Sequence, residues 1–218
     1  MSAIDAAKWF IKNNYDSPRD SKSGNMKLQK MLYFSQLVHL AKFGEPLFDE
    51  QIYAFKNGSV VENVRQSYQH NNSALVKSAK ESELELTPEQ SFTFSAVEEI
   101  FGSLSANELS NLNHEHKSWK DAFELSKCGN GFYDKSLSIM TINQMQKNEV
   151  GLIQEMLLAY EESSEESEEC IEVNGRKFYY NPEEITIDDN IADMLQSFNG
   201  PDSAYTISFD ESVGVLIY

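Results

Sequence analysis

The chain has 218 residues, 40% of them hydrophobic, and a formal net charge of −17. That length suits one ordinary domain plus an appendage, with a core that needs no disulfide or metal to hold it, and no apolar run approaches the ~20 residues that span a bilayer. Residues 1–160 carry 16 Lys and Arg against 20 Asp and Glu, residues 161–169 carry six Glu, and residues 171–218 carry two basic and nine acidic residues. The acidity therefore belongs to the C-terminal quarter. A nucleic-acid binder needs a basic footprint, which this balance does not supply, so no direct nucleic-acid partner and no membrane partner are expected. A basic protein would be steered towards the acidic end. The N-terminus lacks a basic leader and cleavage site, which suggests a cytoplasmic protein. Cys128 and Cys170 lie far apart without metal-ligand spacing and read as two reduced thiols.

Ser2, with Asp5 three residues on, forms a capping-box-like start for a first helix to about Asn14. The run DSPRDSKSGN breaks that helix. From Leu28 to Phe43, apolar residues then fall on nearly every side of a helical wheel. A helix apolar all round is one that other elements surround, so this segment is the expected central pillar. Gly44 stops it and Pro46 prevents its resumption. Gln51 to Lys56 reads as a short strand or strap, Gly58 as a turn, and Val60 to Gln69 as a helix carrying Val61, Val64 and Tyr68 inward. A short helix is expected around Ala74–Ala79, then an extended Leu84–Leu86. Three hydroxyl caps with a reciprocal third residue follow. Thr87 to Gln90 and Ser105 to Glu108 each open a helix, and Thr141 to Gln144 opens one running to Tyr160. Ser118 to Leu125 reads as one more helix.

Glu161 to Glu169, EESSEESEE, buries nothing and reads as a frayed helix end or a linker between a domain of residues 1–160 and a module of residues 170–218. Ile171 to Phe178 around Asn174-Gly175 is a hairpin signal, since Asn-Gly favours the type I′ turn. Asp188 or Asp189 caps a helix carrying Ile191, Met194, Leu195 and Phe198, which Gly200 and Pro201 end. Tyr205 to Phe209 alternates as a half-buried strand does, and Val213 to Tyr218 pairs with it across Asp210–Ser212. The expected fold class is mainly α, a helical domain around a central buried helix followed by a small α+β module of ββαββ type.

Candidate chemistry is sparse. Ser35 and His39 lie one turn apart on one stripe, but a mid-helix serine has no free amides to form an oxyanion hole, so a hydrogen-bonded buried histidine is the expectation. His114-Glu115-His116 lacks the spacing of a metal site. Gly129-Asn130-Gly131 lacks the lysine and the strand-to-helix context of a phosphate loop. No enzyme activity, cofactor or metal is expected. A partner-binding surface is instead assigned to the aromatics and acids of the tail, namely Tyr179, Tyr180, Asp188, Asp189, Asp202, Tyr205, Phe209, Asp210, Glu211 and Tyr218. The plainer reading of each aromatic is the module's own core.

Several separate motifs carry a resemblance. Leu28-Gln29-Lys30-Met31-Leu32-Tyr33, then Pro46-Leu47-Phe48, then Ala54-Phe55-Lys56-Asn57-Gly58 with Val60-Val61, and finally His114 with Trp119 five positions on, occur in the order found in the Panacea domain, also called SocA-like. The chain resembles that family over roughly residues 4–150. Ser59 and Ser118 stand where the family usually has proline, and Phe55 where tryptophan is common. The resemblance implies an antitoxin that neutralises a toxin encoded beside it, and in one branch delivers the toxin to an ATP-dependent protease. It also implies a structural, helix-joining role for His114 and Trp119. The expected partner is a basic protein toxin. The alternatives are an adaptor for an ATP-dependent protease, or an acidic nucleic-acid mimic that inhibits a defence or nucleic-acid-processing complex, of the kind a prophage or mobile element carries.

Overall fold

The computed structural model describes residues 1–20, 22–165, 169–182, 184–210 and 214–218, with the backbone alone at 163–165. The chain divides into two compact units, Met1–Leu157 and Leu158–Tyr218. It is mainly α, with ten α-helices and two small sheets among the described residues.

In the first unit, helix α1 (Ala3–Lys12) starts where the Ser2 hydroxyl accepts the Asp5 amide at 3.2 Å. The pillar, α2, runs from Ser23 to Phe43 and so begins five residues before Leu28, inside the stretch read as a breaker. The cause is Asp20, whose carboxylate accepts the amides of Lys22 at 2.8 Å, of Ser23, and of Gly24 at 3.4 Å, satisfying donors that a helix start leaves free. Those bonds hold the Asp20 carboxyl below its usual range. Gly24 is required there, because a Cβ would lie 2.6 Å from the Pro18 carbonyl.

Sixteen of the 21 residues of α2 are buried, and α1, α5 (Pro88–Phe101), α6 (Ala106–Glu115) and strand β2 (Gly58–Val61) pack round it. Leu28, Met31, Leu32, Leu37 and Val38 are fully enclosed, so truncating any one to alanine would cost about 2–5 kcal/mol. The helix ends at Gly44 in the left-handed region, φ 77°. Beyond it, the Gln36 amide ties the chain back: its Oε1 accepts from Leu47 N at 3.1 Å and Phe48 N at 3.2 Å. Leu47 and Phe48 are thereby buried while Pro46 stays exposed.

Strand β1 (Ile52–Phe55) pairs antiparallel with β2 and, on its other side, with the two-residue β3 (Ile139–Met140). Val60 and Val61 are therefore strand residues, a correction to the helix expected from Val60. Helix α3 starts only at Glu62 and runs to His70, and α4 spans Asn72–Lys80. The pairing Ile52↔Val61 explains the difference, because β-branched residues on a buried pleated surface favour the ladder. The three hydroxyl caps at Thr87, Ser105 and Thr141 all form as reciprocal capping boxes. The helix expected to run unbroken from Thr141 is split into α8 (Ile142–Asn148) and α9 (Val150–Glu165) at Glu149, and it continues into the acidic run rather than ending at Tyr160.

The second unit contains strands β4 (Glu169–Val173), β5 (Arg176–Tyr180), β6 (Ala204–Asp210) and β7 (Gly214–Ile217) in the order 4-5-6-7, with helix α10 (Asp189–Ser197) between β5 and β6. Asn174 and Gly175, at φ 53° and 77°, make the tight turn from β4 to β5. Strand β5 pairs parallel with β6, which is the pairing that a helical crossover permits. Phe178, Ile185, Leu195, Tyr205 and Ile207 form its core. The Asp188 carboxylate caps α10 by accepting from Ile191 N at 2.9 Å.

Candidate functional site

Gln29, Lys30 and Gly58, among the residues quoted for the family resemblance, meet beneath the β1–β2 turn. Gln29 accepts from Val61 N at 2.7 Å, and Lys30, 1% exposed, donates from Nζ to the Ser59 carbonyl at 3.0 Å. The Asn113 side chain binds Ser59 twice, accepting from its amide and donating to Oγ at 2.9 Å. Gly58, at φ 99°, lets Lys30 lie against the turn: a Cβ there would sit 2.6 Å from Nζ. Burial pushes the Lys30 ammonium down to about 7.

A second layer joins α6 to α7 (Lys117–Leu125). The His114 ring lies against Trp119, centroids 4.2 Å apart, and Trp119 Nε1 donates to the Phe55 carbonyl at 3.0 Å. His114 is shifted down by burial first and then by the Lys30 charge, and its Nε2 is enclosed without a partner among the described residues. His116 turns the other way, its Nδ1 2.7 Å from the Tyr33 hydroxyl, and burial lowers it to about 4. The two histidines thus belong to different contacts. The buried Glu149 carboxylate accepts from Ser118 N at 2.9 Å and Ser118 Oγ at 2.6 Å, capping the start of α7 from another element. Desolvation raises the Glu149 carboxyl above its usual range. Asn113 and Glu149 carry no signal in the sequence, and His116 is legible there only as a candidate metal ligand, since their partners lie 31 to 83 positions away.

Ser35 and His39 do not meet. Ser35 Oγ bonds back to the Met31 carbonyl at 2.8 Å, and His39 Nδ1 pairs with Thr93 Oγ1 at 2.8 Å.

Beside the buried cluster opens a cleft of about 660 Å³ in the first unit. Five cationic residues line it, Lys22, Lys30, Lys56, Arg65 and Lys135, against one acid, Asp134, and its walls include Phe55, Phe123 and Tyr133. The Asp134 carboxylate is already engaged, accepting from Ser136 N at 2.8 Å and Oγ at 2.7 Å. Glu62 stands behind the cleft, paired with Arg65 at 2.6 Å and with Lys135 at 3.4 Å, and these contacts lower its carboxyl to about 2. The whole-chain charge balance hid this feature, because its cations come from α2, the β1–β2 turn, α3 and the 135–138 turn.

The tail residues assigned to a partner scatter. Tyr205 is 7% exposed between Phe178 and Phe198, with its hydroxyl accepting from Asp202 N, so it packs in the unit's own core. The alternation of β6 places it on the face that α10 covers. Tyr180 packs on the rim of the same core and donates to Glu169 at 2.7 Å. Tyr179 is half-buried on the opposite face of β5, and Asp188 is taken up in its cap. Phe209 and Tyr218 are 56% and 69% exposed, with Asp189, Asp202 and Asp210 also exposed. Glu211 lies outside the described residues.

By fold, this is a mainly helical protein whose first unit is built round one enclosed helix and whose second unit is a small four-stranded sheet with its own core. Residues 28–120 match the family model described as antitoxin SocA-like, Panacea domain. The matched segment begins at the buried Leu28 and ends just past Trp119, enclosing both layers around Lys30 and His114. No curated protein and no solved structure matches the chain. No described helix is long and apolar enough to cross a membrane.

Proposed function

We propose that this chain is an antitoxin that neutralises a cognate protein toxin by direct contact, with the helical unit as chassis and the acidic unit as recognition surface. The observation that carries the reading is the Panacea-domain match over residues 28–120. The division of charge supports the second part, since residues 171–218 hold nine acidic residues against two basic, which favours a basic partner surface. Phe209 and Tyr218 supply exposed aromatic anchors beside those acids, and the outer strands β4 and β7 offer edges for strand addition. On this reading the chain acts by binding and catalyses no reaction.

The test is growth rescue in cells expressing the toxin encoded beside this chain, comparing the full chain with its Phe209→Ala/Tyr218→Ala variant, together with the affinity of the purified pair. Rescue by the full chain and a fall of about 30-fold in affinity for the variant are expected, about 2 kcal/mol for lost aromatic anchors. Failure of the unaltered chain to rescue overturns the antitoxin reading. Undiminished rescue and affinity in the variant overturn the role of the acidic unit. Delivery to a protease would show as a client half-life that shortens only when this chain and the protease are both present.

A further inference from the structure

We propose that the cleft beside Lys30 binds a small phosphorylated ligand carrying a planar ring, of the nucleotide class. Its volume of about 660 Å³ lies within the range of small-molecule sites and encloses more of a ligand than a flat peptide surface does. The cationic lining answers a phosphate chain. Lys22 and Lys56 make no ion pair within 4 Å among the described residues, and Lys22 acts on Asp20 only at longer range. Lys30 stands at the buried end, where its ammonium has the Ser59 carbonyl at 3.0 Å as its acceptor and two further N–H donors. A buried ammonium left with one neutral acceptor is costly, and an anionic oxygen in the cleft would supply the missing countercharge.

The aromatic lining answers a ring. Phe123 and Tyr133 stack at 5.2 Å, and Tyr133, which lines the cleft, is 51% exposed, so its ring is accessible to a further planar group. Cations that suit a phosphate, together with an accessible aromatic ring, favour a phosphorylated ring compound over bare phosphate or a chain of carboxylates. A lining of five cations and one acid does not suit a metal ion or an uncharged apolar ligand. The inference does not depend on the antitoxin reading, because the cleft belongs wholly to the first unit.

The test is calorimetric titration of the full chain at 0.15 M salt with ATP, GTP, pyrophosphate, adenosine and a synthetic peptide of residues 161–172. The same titrations are run on Lys22→Gln/Lys56→Gln and on Tyr133→Ala, whose altered side chains lie at the surface. The expected result is that ATP or GTP binds at least tenfold more tightly than pyrophosphate and adenosine does not bind at 1 mM. The double variant should weaken nucleotide binding at least tenfold, and Tyr133→Ala should bring it towards that of pyrophosphate. The proposal is overturned if neither nucleotide binds at 1 mM, if pyrophosphate binds as tightly as either, if the acidic peptide binds more tightly than both, or if nucleotide affinity survives in the double variant. Unchanged circular dichroism and melting of the variants show that any loss belongs to the site.

Discussion

Replacing Lys30 by methionine separates the electrostatic cost of this side chain from its packing. Lys30 is 1% exposed, and burial moves its ammonium from 10.5 to about 7. At about 1.4 kcal/mol per pH unit, the folded state disfavours the charged form by about 5 kcal/mol as an order of magnitude. The sign follows from proton counting. Below pH 7 both folded and unfolded chains hold the proton, so the penalty is present in full. Between about 7 and 10.5 the unfolded chain keeps a proton that the folded chain has shed, so stability rises with pH across that window. Methionine keeps the length of the side chain and removes the charge. It also leaves the Ser59 carbonyl without the donor it has at 3.0 Å, a loss of about 1–3 kcal/mol. The expected net effect is a gain of about 2–4 kcal/mol at pH 6 that shrinks with rising pH and reverses between about pH 8 and 10, where the remaining charge penalty falls below the worth of the hydrogen bond that the neutral amine keeps. Urea denaturation of both proteins at pH 6, 8 and 10, followed by circular dichroism, measures it. The His114 resonance gives a second reading, because removing the Lys30 charge takes away one cause of its lowered pKa. Destabilisation at pH 6, or a difference that does not change with pH, would refute the reasoning.

His116, lowered by burial from 6.5 to about 4, binds its proton more readily when unfolded. Its contribution to stability is therefore lost as pH falls from about 6.5 to 4, by about 3 kcal/mol, and His116→Gln should flatten the acid limb of the stability curve while keeping an acceptor for the Tyr33 hydroxyl. Gly58→Ala forces a Cβ into the left-handed region and against Lys30, and should cost about 2 kcal/mol or more in the same urea assay. Glu149 and Ser118 should couple. Ser118→Pro removes the two Ser118 donors to the buried carboxylate, and Glu149→Met strands the Ser118 amide, so each alone costs about 2–3 kcal/mol. The double variant should cost about 2 kcal/mol less than their sum, and additivity within 0.5 kcal/mol would refute the pairing.

The features legible in the sequence are those set by neighbours along the chain. Ser2, Thr87, Ser105 and Thr141 each cap a helix because the group that a hydroxyl satisfies lies three residues on. The all-round apolar wheel of Leu28–Phe43 likewise reports the enclosure of α2 directly. What stayed hidden is what distant residues decide. Asp20 reads as loop composition until its carboxylate is seen on three amides, and Val60 reads as helix until Tyr53 pairs with it. Glu149, a good helix former, breaks a helix because its side chain is taken up by Ser118 31 positions away. Ser59 and Ser118 show the same logic at the two places where the resemblance has proline. Each uses an N–H that proline lacks, donated to Asn113 and Glu149 respectively, so each departure is matched by its partner. Tyr205 and Phe209 lie on the same side of β6, and only the span that α10 covers makes one core and leaves the other exposed.

The two proposed binding events should answer salt differently, and the reason lies in where the charge sits. A basic partner approaching the chain feels the net charge of −17 at long range, and that field is screened over about 8 Å at physiological ionic strength. Its association rate should fall steeply as salt rises from 50 to 300 mM, while dissociation changes little. A nucleotide at the cleft meets opposing terms. The whole-chain charge repels it, and the lining cations, of which Lys30 is buried, attract it at contact distance. Salt screens the distant repulsion more completely than the enclosed attraction, so nucleotide affinity should vary little over the same range or pass through a shallow maximum. A nucleotide affinity that falls as steeply as the partner's association rate would place the attraction on exposed lysines alone and remove Lys30 from the site.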